Sequence, residues 1–237
     1  MICDKERALD NVTTSKAEPR ETENVDFYQI RDLLEAQKAR LRIKRFFDVF
    51  VSVVGLLILL AFFIVIAIII KIDSNGPVFF WQTRVGKYGK HFKIFKFRTM
   101  VVNAEKKGRL ITVGDDPRIT RVGGFLRKMK IDELPQIMNI IKGDMSFVGP
   151  RPEVPKYVEL YNESQKQVLL VRPGVTDLAS IEYKNEGEIL ALSDDPEKTY
   201  ITVIMQSKLE RNIQYLKKIS LINDIRVMLK TVIEIIN

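Results

Sequence analysis

The run Val49–Ile70, VFVSVVGLLILLAFFIVIAIII, constrains this chain more than any other stretch. It carries no charge, and only Ser52 and Gly55 interrupt its large apolar side chains. Wound as an α-helix it is about 33 Å long, against roughly 30 Å of bilayer hydrocarbon. A soluble core seldom covers such a helix on every side, so the run predicts membrane insertion. It does not read as a cleavable signal peptide: it begins far into the sequence, exceeds the usual apolar length and precedes no small-residue cleavage site.

The flanking charges leave its topology open. Lys38, Arg40, Arg42, Lys44 and Arg45 stand before it; Lys71, Arg84, Lys87 and Lys90 stand after it. Both ends therefore meet the positive-inside criterion for the cytoplasmic side. Length argues for a spanning helix, whereas charge symmetry argues for a segment that enters and leaves the same leaflet. Upstream, residues 1–24 are polar and predict a disordered tail. Over residues 25–43, Ile30, Leu33, Leu34 and Leu41 fall near helical spacing among charges. They predict an amphipathic helix leading into a membrane-inserted helix at 44–71, either along the interface or as a solvated helix or coiled-coil stub. Residues 72–237 then form one further domain.

The net charge of +8 favours an anionic partner: lipid headgroup, nucleic acid or phosphorylated substrate. The lone Cys3 and lone His91 exclude an internal disulfide and a His/Cys zinc centre. Any metal must be a hard cation on carboxylates, with Mg²⁺ the natural candidate. After the turn cluster Asp73–Pro77, Val78–Val85 and His91–Met100 predict a hairpin about Gly86-Lys-Tyr-Gly89. Its Phe79, Phe80, Trp81, Phe92, Phe95 and Phe97 interleave with Lys93, Lys96 and Arg98. Beside a membrane anchor this pattern reads as an interface belt or a small core with a cationic rim, not as a nucleic-acid surface. The glycines lack P-loop spacing.

The segment Arg127–Pro152 carries the chemistry. Asp132 and Glu133 are adjacent, directly after Arg127, Lys128 and Lys130, and Arg151 is locked between Pro150 and Pro152. Further on, Arg172-Pro-Gly174 predicts a type II turn presenting Arg172 rigidly. Leu134, Ile137, Met138 and Ile141 predict a helix from about Glu133 to Lys142, ended by Gly143. Asp132 then falls at or near the N-cap. Two readings follow: the acids cap the helix and complement its dipole, or they serve chemistry on a phosphate held at the helix N-terminus. The arginines have a plain alternative as surface ion pairs.

Lys96-Phe-Arg-Thr-Met100, Asp116–Gly123, Ile131-Asp-Glu-Leu-Pro-Gln136, Lys142–Pro152 and Arg172-Pro-Gly-Val-Thr176 together resemble, in order, the motifs of the bacterial sugar transferase family. These are the monotopic polyprenol-phosphate phosphoglycosyl transferases, and the resemblance runs from about Lys44 to the C-terminus. It implies an α/β fold: a re-entrant N-terminal membrane helix, a short hairpin and a small, mostly helical catalytic domain with amphipathic interfacial helices. That domain would sit on the cytoplasmic face of the bacterial inner membrane. The implied reaction moves a phosphosugar from a UDP-sugar to undecaprenyl phosphate and releases UMP, initiating surface glycoconjugate or exopolysaccharide synthesis. By motif, Asp132 would be the nucleophile and Glu133 its partner, activating or positioning the polyprenol phosphate. Mg²⁺ would sit at the dyad on Asp132. Lys96, Arg98, Arg127, Arg151 and Arg172 are the phosphate-ligand candidates; Asp224 matches an acidic family position of unknown role. The oligomeric state is open, a dimer included. The alternatives are a glycosyl transferase releasing UDP and a non-catalytic scaffold of polysaccharide assembly.

Two departures qualify the resemblance. The family's usual Ser-Pro pair in the membrane helix, whose kink turns the chain back, is here Leu60-Ala61. After Thr176, where many relatives have Gly and then Gln, this chain has Asp177-Leu-Ala-Ser180, which puts the accepted sugar in doubt. At the C-terminal end Ser220 is placed to cap a helix bearing Leu221, Ile222, Ile225, Met228, Leu229, Val232, Ile233 and Ile236. It would pack on the core or lie on lipid.

Overall fold

The apolar run forms part of a single helix much longer than itself. In the computed structural model, which describes residues 27–104, 111–114 and 116–236, helix α1 (Phe27–Ala36) breaks at Gln37 and α2 (Lys38–Asp73) follows. The expected tail at 1–24 lies outside the described residues. Helix α2 starts at Lys38, so residues 38–43 extend the apolar helix and do not belong to the one before it. It runs 36 residues, about 54 Å. It passes unbroken through Leu60-Ala61, since no proline is present to remove an i→i−4 bond.

One face of α2 is buried: Lys44, Asp48 and Ser52 near its start, then Phe63, Ile66 and Ile70. The opposite face exposes Phe46, Phe50, Leu57, Ile58, Ile64 and Ile72. Only 17% of its most apolar window is buried, which separates it from the core helix of a soluble protein. Helix α1 is not the free stub that the sequence allowed. Ile30 is fully buried and Leu34 nearly so, packed with Val148, Val171, Leu216 and Ile219. The apolar stripe is thus covered by the domain.

The hairpin forms as predicted, from β1 (Phe79–Val85) and β2 (His91–Phe97), with Phe79 opposite Phe97 and Val85 opposite His91. Strand β2 stops at Phe97, short of Met100, which bridges Ile119 instead. Phe97 docks the hairpin on α2: its ring meets Phe63 edge-on at 5.3 Å and stacks on Phe79 at 5.4 Å. Helix α3 (Arg121–Lys128), capped by the Thr120 side chain, leads into a 3₁₀ turn at Ile131–Gln136 and then α4 (Ile137–Lys142). As predicted, Gly143 ends α4 in the left-handed region (φ 98°).

A two-stranded parallel sheet joins β3 (Ser146–Val148) to β4 (Gly174–Thr176), with α5 (Pro155–Val158) in the crossover. The type II turn expected at Arg172-Pro-Gly174 is not formed. Gly174 lies inside β4 without positive φ, and a Cβ there would meet the Gly149 nitrogen at 2.2 Å. Close strand approach, not turn geometry, requires that glycine. Helices α6 (Leu178–Glu182), α7 (Glu186–Ala191), α8 (Pro196–Thr199), α9 (Met205–Lys217) and α10 (Leu221–Ile236) complete the domain. Tyr157, Leu190, Tyr200, Ile204 and Leu209 form its main core, each buried apolar side chain contributing roughly 1.5–3 kcal/mol. Ser220 caps α10 through Asn223 N–H. On that helix Asp224 and Val227 face inward, so it packs on the core, while Ile222, Leu229, Val232 and Ile233 remain more than half exposed.

Candidate active site

Asp132 and Glu133 sit on the 3₁₀ turn, 6% and 9% exposed. The helix begins differently from the expectation. Residue Lys130, in the left-handed region (φ 54°), precedes the turn, the α-helical register starts only at Ile137, and no side chain caps either segment. Pro135, lacking an N–H, falls inside this opening turn. Asp132 is therefore not the helix cap that the periodicity allowed.

The neighbours of Glu133 come from two directions. Strand β2 delivers Lys96, whose Nζ donates to Glu133 Oε1 at 2.8 Å. Asn139 fixes that approach, accepting from Phe95 N–H at 2.9 Å and donating to the Lys93 carbonyl at 2.8 Å. It thereby stitches α4 to the strand edge just before Lys96. From the other direction Arg151 reaches Glu133 with a two-nitrogen fork: one nitrogen donates to Oε2 at 3.1 Å, and the other contacts Oε1 more closely. Arg151 is itself held at three points. Its prolines limit the backbone, its N–H donates to Asp177 Oδ2 at 2.9 Å, and its side chain donates to the Val175 carbonyl at 3.0 Å. Asp177 also caps α6, which accounts for an acid at this departure from the family pattern.

The two acids consequently differ. Burial alone would raise the Glu133 carboxyl, but Arg151 and Lys96 outweigh it and hold the group well below the usual range. Burial pushes the Asp132 carboxyl up, aided by the Glu133 charge and opposed by Lys96 and Arg127. Burial likewise draws the Lys96 ammonium down, against the pull of Glu133. Glu133 is thus a fixed anion with both oxygens engaged. Asp132 has no hydrogen-bond partner among the described residues, which leaves its oxygens available to a reacting group.

The remaining candidates divide. Arg127 lies close enough to act on Asp132 electrostatically, and it is oriented by hydrogen bonds to the hydroxyls of Thr99 (2.8 Å) and Thr112 (3.2 Å). Arg98 is not in the cluster. It donates to the Ser74 and Asn75 carbonyls, both at 2.6 Å, closing the C-terminal end of α2. Arg172 is also elsewhere, donating to the Gly143 carbonyl at the far end of α4. Asp224 joins Lys44 Nζ at 2.5 Å and the Tyr215 hydroxyl at 2.7 Å, tying α10 to the start of α2. Asp48 adds a bond from the Ser146 hydroxyl at 2.7 Å.

For Mg²⁺ the donor set is spare. No group of three or more candidate ligands occurs among the described residues. Asp132 is the one carboxylate at the dyad with free oxygens. A single carboxylate completed by substrate phosphates is a usual Mg²⁺ arrangement, so these residues fit the ion as part of a substrate complex.

The sequence reading did not find Asn139, Asp48 or Tyr215, and it noted Asp177 only as a departure from the family pattern. Of the first three, Asn139 alone had a visible signal, as a polar residue within the apolar stretch Ile137–Ile141.

Comparison with known proteins places the chain among sugar transferases. Over 193 residues the chain is 36% identical to UDP-N-acetylgalactosamine-undecaprenyl-phosphate N-acetylgalactosaminephosphotransferase of Aeromonas hydrophila, covering 80% of this chain but 43% of that protein. It is 46% identical over 129 residues to the putative undecaprenyl-phosphate N-acetylgalactosaminyl 1-phosphate transferase of Bacillus subtilis (strain 168), covering 54% of this chain and 72% of that one. Exopolysaccharide production protein PSS of Rhizobium leguminosarum bv. phaseoli is 37% identical over 199 residues, covering 81% and 94% respectively. The description "bacterial sugar transferase" matches residues 39–237, and the chain belongs to that family.

Proposed function

We propose that the chain transfers a phosphosugar from a UDP-sugar to undecaprenyl phosphate, with Asp132 as the nucleophile. The observation that carries this reading is the division of labour in the dyad: Glu133 is clamped by Lys96 and Arg151, while Asp132 beside it has no hydrogen bond among the described residues. An Asp132 oxygen would attack the phosphorus bonded to the sugar, and the phosphorus–oxygen bond to UMP would break. A polyprenol phosphate oxygen would then attack the same phosphorus, releasing Asp132 and forming the polyprenol diphosphate sugar. Splitting the displacement in two keeps the two bulky anions from having to meet at one phosphorus.

Glu133, with both oxygens engaged by cations, is poorly placed to take a proton. Its role in this reading is to hold Lys96 and Arg151 where the diphosphate arrives, with Arg127 on the side of Asp132. Mg²⁺, bound by Asp132 and substrate oxygens, would counter diphosphate charge. The absence of a capping bond from Asp132 removes the main support for a non-catalytic pair.

We further propose a monotopic placement, with the domain on the cytoplasmic face of the bacterial membrane. What supports it is that both ends of the apolar run bond to one domain: Arg45 donates to the Ile140 carbonyl at 2.8 Å before it, and Arg98 closes it after. The test of the reaction is product analysis with Mg²⁺, undecaprenyl phosphate and a panel of UDP-sugars. UMP release abolished by Asp132→Asn is expected. UDP release, or an active Asp132→Asn enzyme on the true substrate, overturns it.

A further inference from the structure

Helix α2 is covered along one line and bare along the opposite one for nearly its whole length. Its buried positions, Lys44, Asp48, Ser52, Phe63, Ile66 and Ile70, fall on one side of the helix, and Gly55, Leu56 and Leu59 continue that side partly buried. The covering comes from the rest of the domain, end to end. Lys44 meets Asp224 of α10, and Arg45 meets the Ile140 carbonyl of α4. A Cβ on Gly55 would stand 3.8 Å from Ile137 Cδ1. Phe63, Ile66 and Ile70 then pack with Phe97 and Leu126.

Neither an upright nor a re-entrant helix suits this line of contact. Ile131 and Leu134 also pack against the Phe63 cluster, so the turn that carries Asp132 and Glu133 lies beside the middle of the apolar run. An upright α2 would therefore take Asp132, Glu133, Lys96 and Arg151 into the hydrocarbon, where charged side chains are strongly disfavoured. A re-entrant path needs a break near the middle of the run, and α2 is continuous there. The bare side also outruns a bilayer. Its exposed apolar residues extend from Ile43 to Ile72, about 44 Å of helix, against roughly 30 Å of hydrocarbon.

The ends of the bare side indicate what covers it. Arg42 and Lys71 are exposed there, one at each end. Cations so placed suit anionic lipid headgroups, with their stems lying along the apolar surface. A second copy of the chain would set its own Arg42 or Lys71 against them in either direction, like charge on like charge.

We propose that α2 lies parallel to the membrane plane, its bare side sunk into the acyl chains of one leaflet and its covered side carrying the domain. The placement rests on the membrane reading under Proposed function and removes the need for the missing proline, because a helix that stays shallow has no need to turn back. An interfacial helix sinks its apolar face about 5–10 Å, and a helix is about 10 Å across. The turn bearing Asp132 and Glu133 then comes level with the lipid phosphates.

The test is a depth profile of the full chain in phosphatidylcholine nanodiscs containing phosphatidylglycerol. Phe46→Cys, Phe50→Cys, Leu57→Cys, Ile64→Cys, Ile68→Cys and Ile72→Cys, all at exposed positions, are spin-labelled one at a time in a Cys3→Ser background. Relative accessibility to oxygen and to a water-soluble nickel chelate gives the depth of each label. A flat helix places all six in the acyl region within about 5 Å of a common depth. A label at position 57 deeper than those at 46 and 72 by about 10 Å or more means a re-entrant path. That result overturns the flat placement but leaves the monotopic reading intact. Positions 46 and 72 near opposite surfaces, with position 57 between them, mean a spanning helix and overturn both. Labels shielded from oxygen and broadened by labels on a neighbouring copy assign the bare side to self-association and overturn the proposal.

Discussion

Asp224→Asn isolates what holds the rest of the domain to the long apolar helix α2. In the wild type Lys44 and Asp224 are both buried, 2.5 Å apart, and Tyr215 donates to the second carboxylate oxygen. Asparagine keeps the shape and an acceptor for Tyr215 but leaves the Lys44 charge uncompensated. Removing one partner of a buried pair costs about 3–5 kcal/mol. Here Asp48, 4.0 Å from the same ammonium, takes over part of the charge, so the cost should fall near the lower limit, about 2–3 kcal/mol. For a chain of this size that lowers the melting temperature by roughly 4–12 °C. The assay is thermal unfolding in nanodiscs, followed by the fluorescence of Trp81. Lys44→Met with Asp224→Leu removes the pair and should be less destabilised than the two single losses added together, although Asp48 then lacks its cation. A melting point unchanged by Asp224→Asn would refute the reasoning, as would a double variant as unstable as the two single losses added together.

Three more outcomes follow from the same geometry. As the proposed nucleophile Asp132 must be ionised, and its carboxyl is raised, so activity should be full above that raised pKa and fall as pH drops through it. Glu133→Gln removes a like charge and frees Lys96, shifting this acid limb to lower pH while kcat/KM falls by about 10²-fold or more; a limb that stays in place or rises contradicts the assignment. Asn139→Ala leaves the Phe95 N–H without its acceptor and should destabilise the fold by about 1–3 kcal/mol. Because the same bond sets Lys96, its activity should drop further than unfolding accounts for, as read in an assay well below the melting temperature. Single cysteines at positions 40 and 75 should both be labelled from the cytoplasmic side; labelling from opposite sides would establish a spanning helix.

The sequence disclosed those parts of the fold that rest on local chemistry. The apolar run, the hairpin about Gly86–Gly89, the stop at Gly143 and the Ser220 cap each depend on residues within a few positions. The acidic pair and its cations were visible as a motif. Hidden were features fixed by distant partners. Lys44 and Asp224 lie 180 positions apart, and nothing near either residue announces the other. Periodicity placed Asp132 at a cap, but Pro135 and the left-handed Lys130 open the helix as a 3₁₀ turn that uses no side-chain cap. Arg98 by its motif, and Arg172 by its expected rigid turn, read as phosphate-ligand candidates. Both instead donate to the orphan carbonyls of helix ends, a demand created only by tertiary packing. Gly174 suggested a turn, whereas its constraint is the backbone of Gly149 across the sheet.

The central claim is that Asp132 forms a covalent bond to the phosphosugar. Its most direct test is the intact mass of the enzyme after incubation with its UDP-sugar and Mg²⁺ in the absence of polyprenol phosphate. The account predicts about one equivalent of UMP released per enzyme, together with a phosphosugar adduct that maps to the peptide containing Asp132 and is discharged by undecaprenyl phosphate. UMP release that requires the lipid acceptor from the outset, with no adduct at any time, would contradict it.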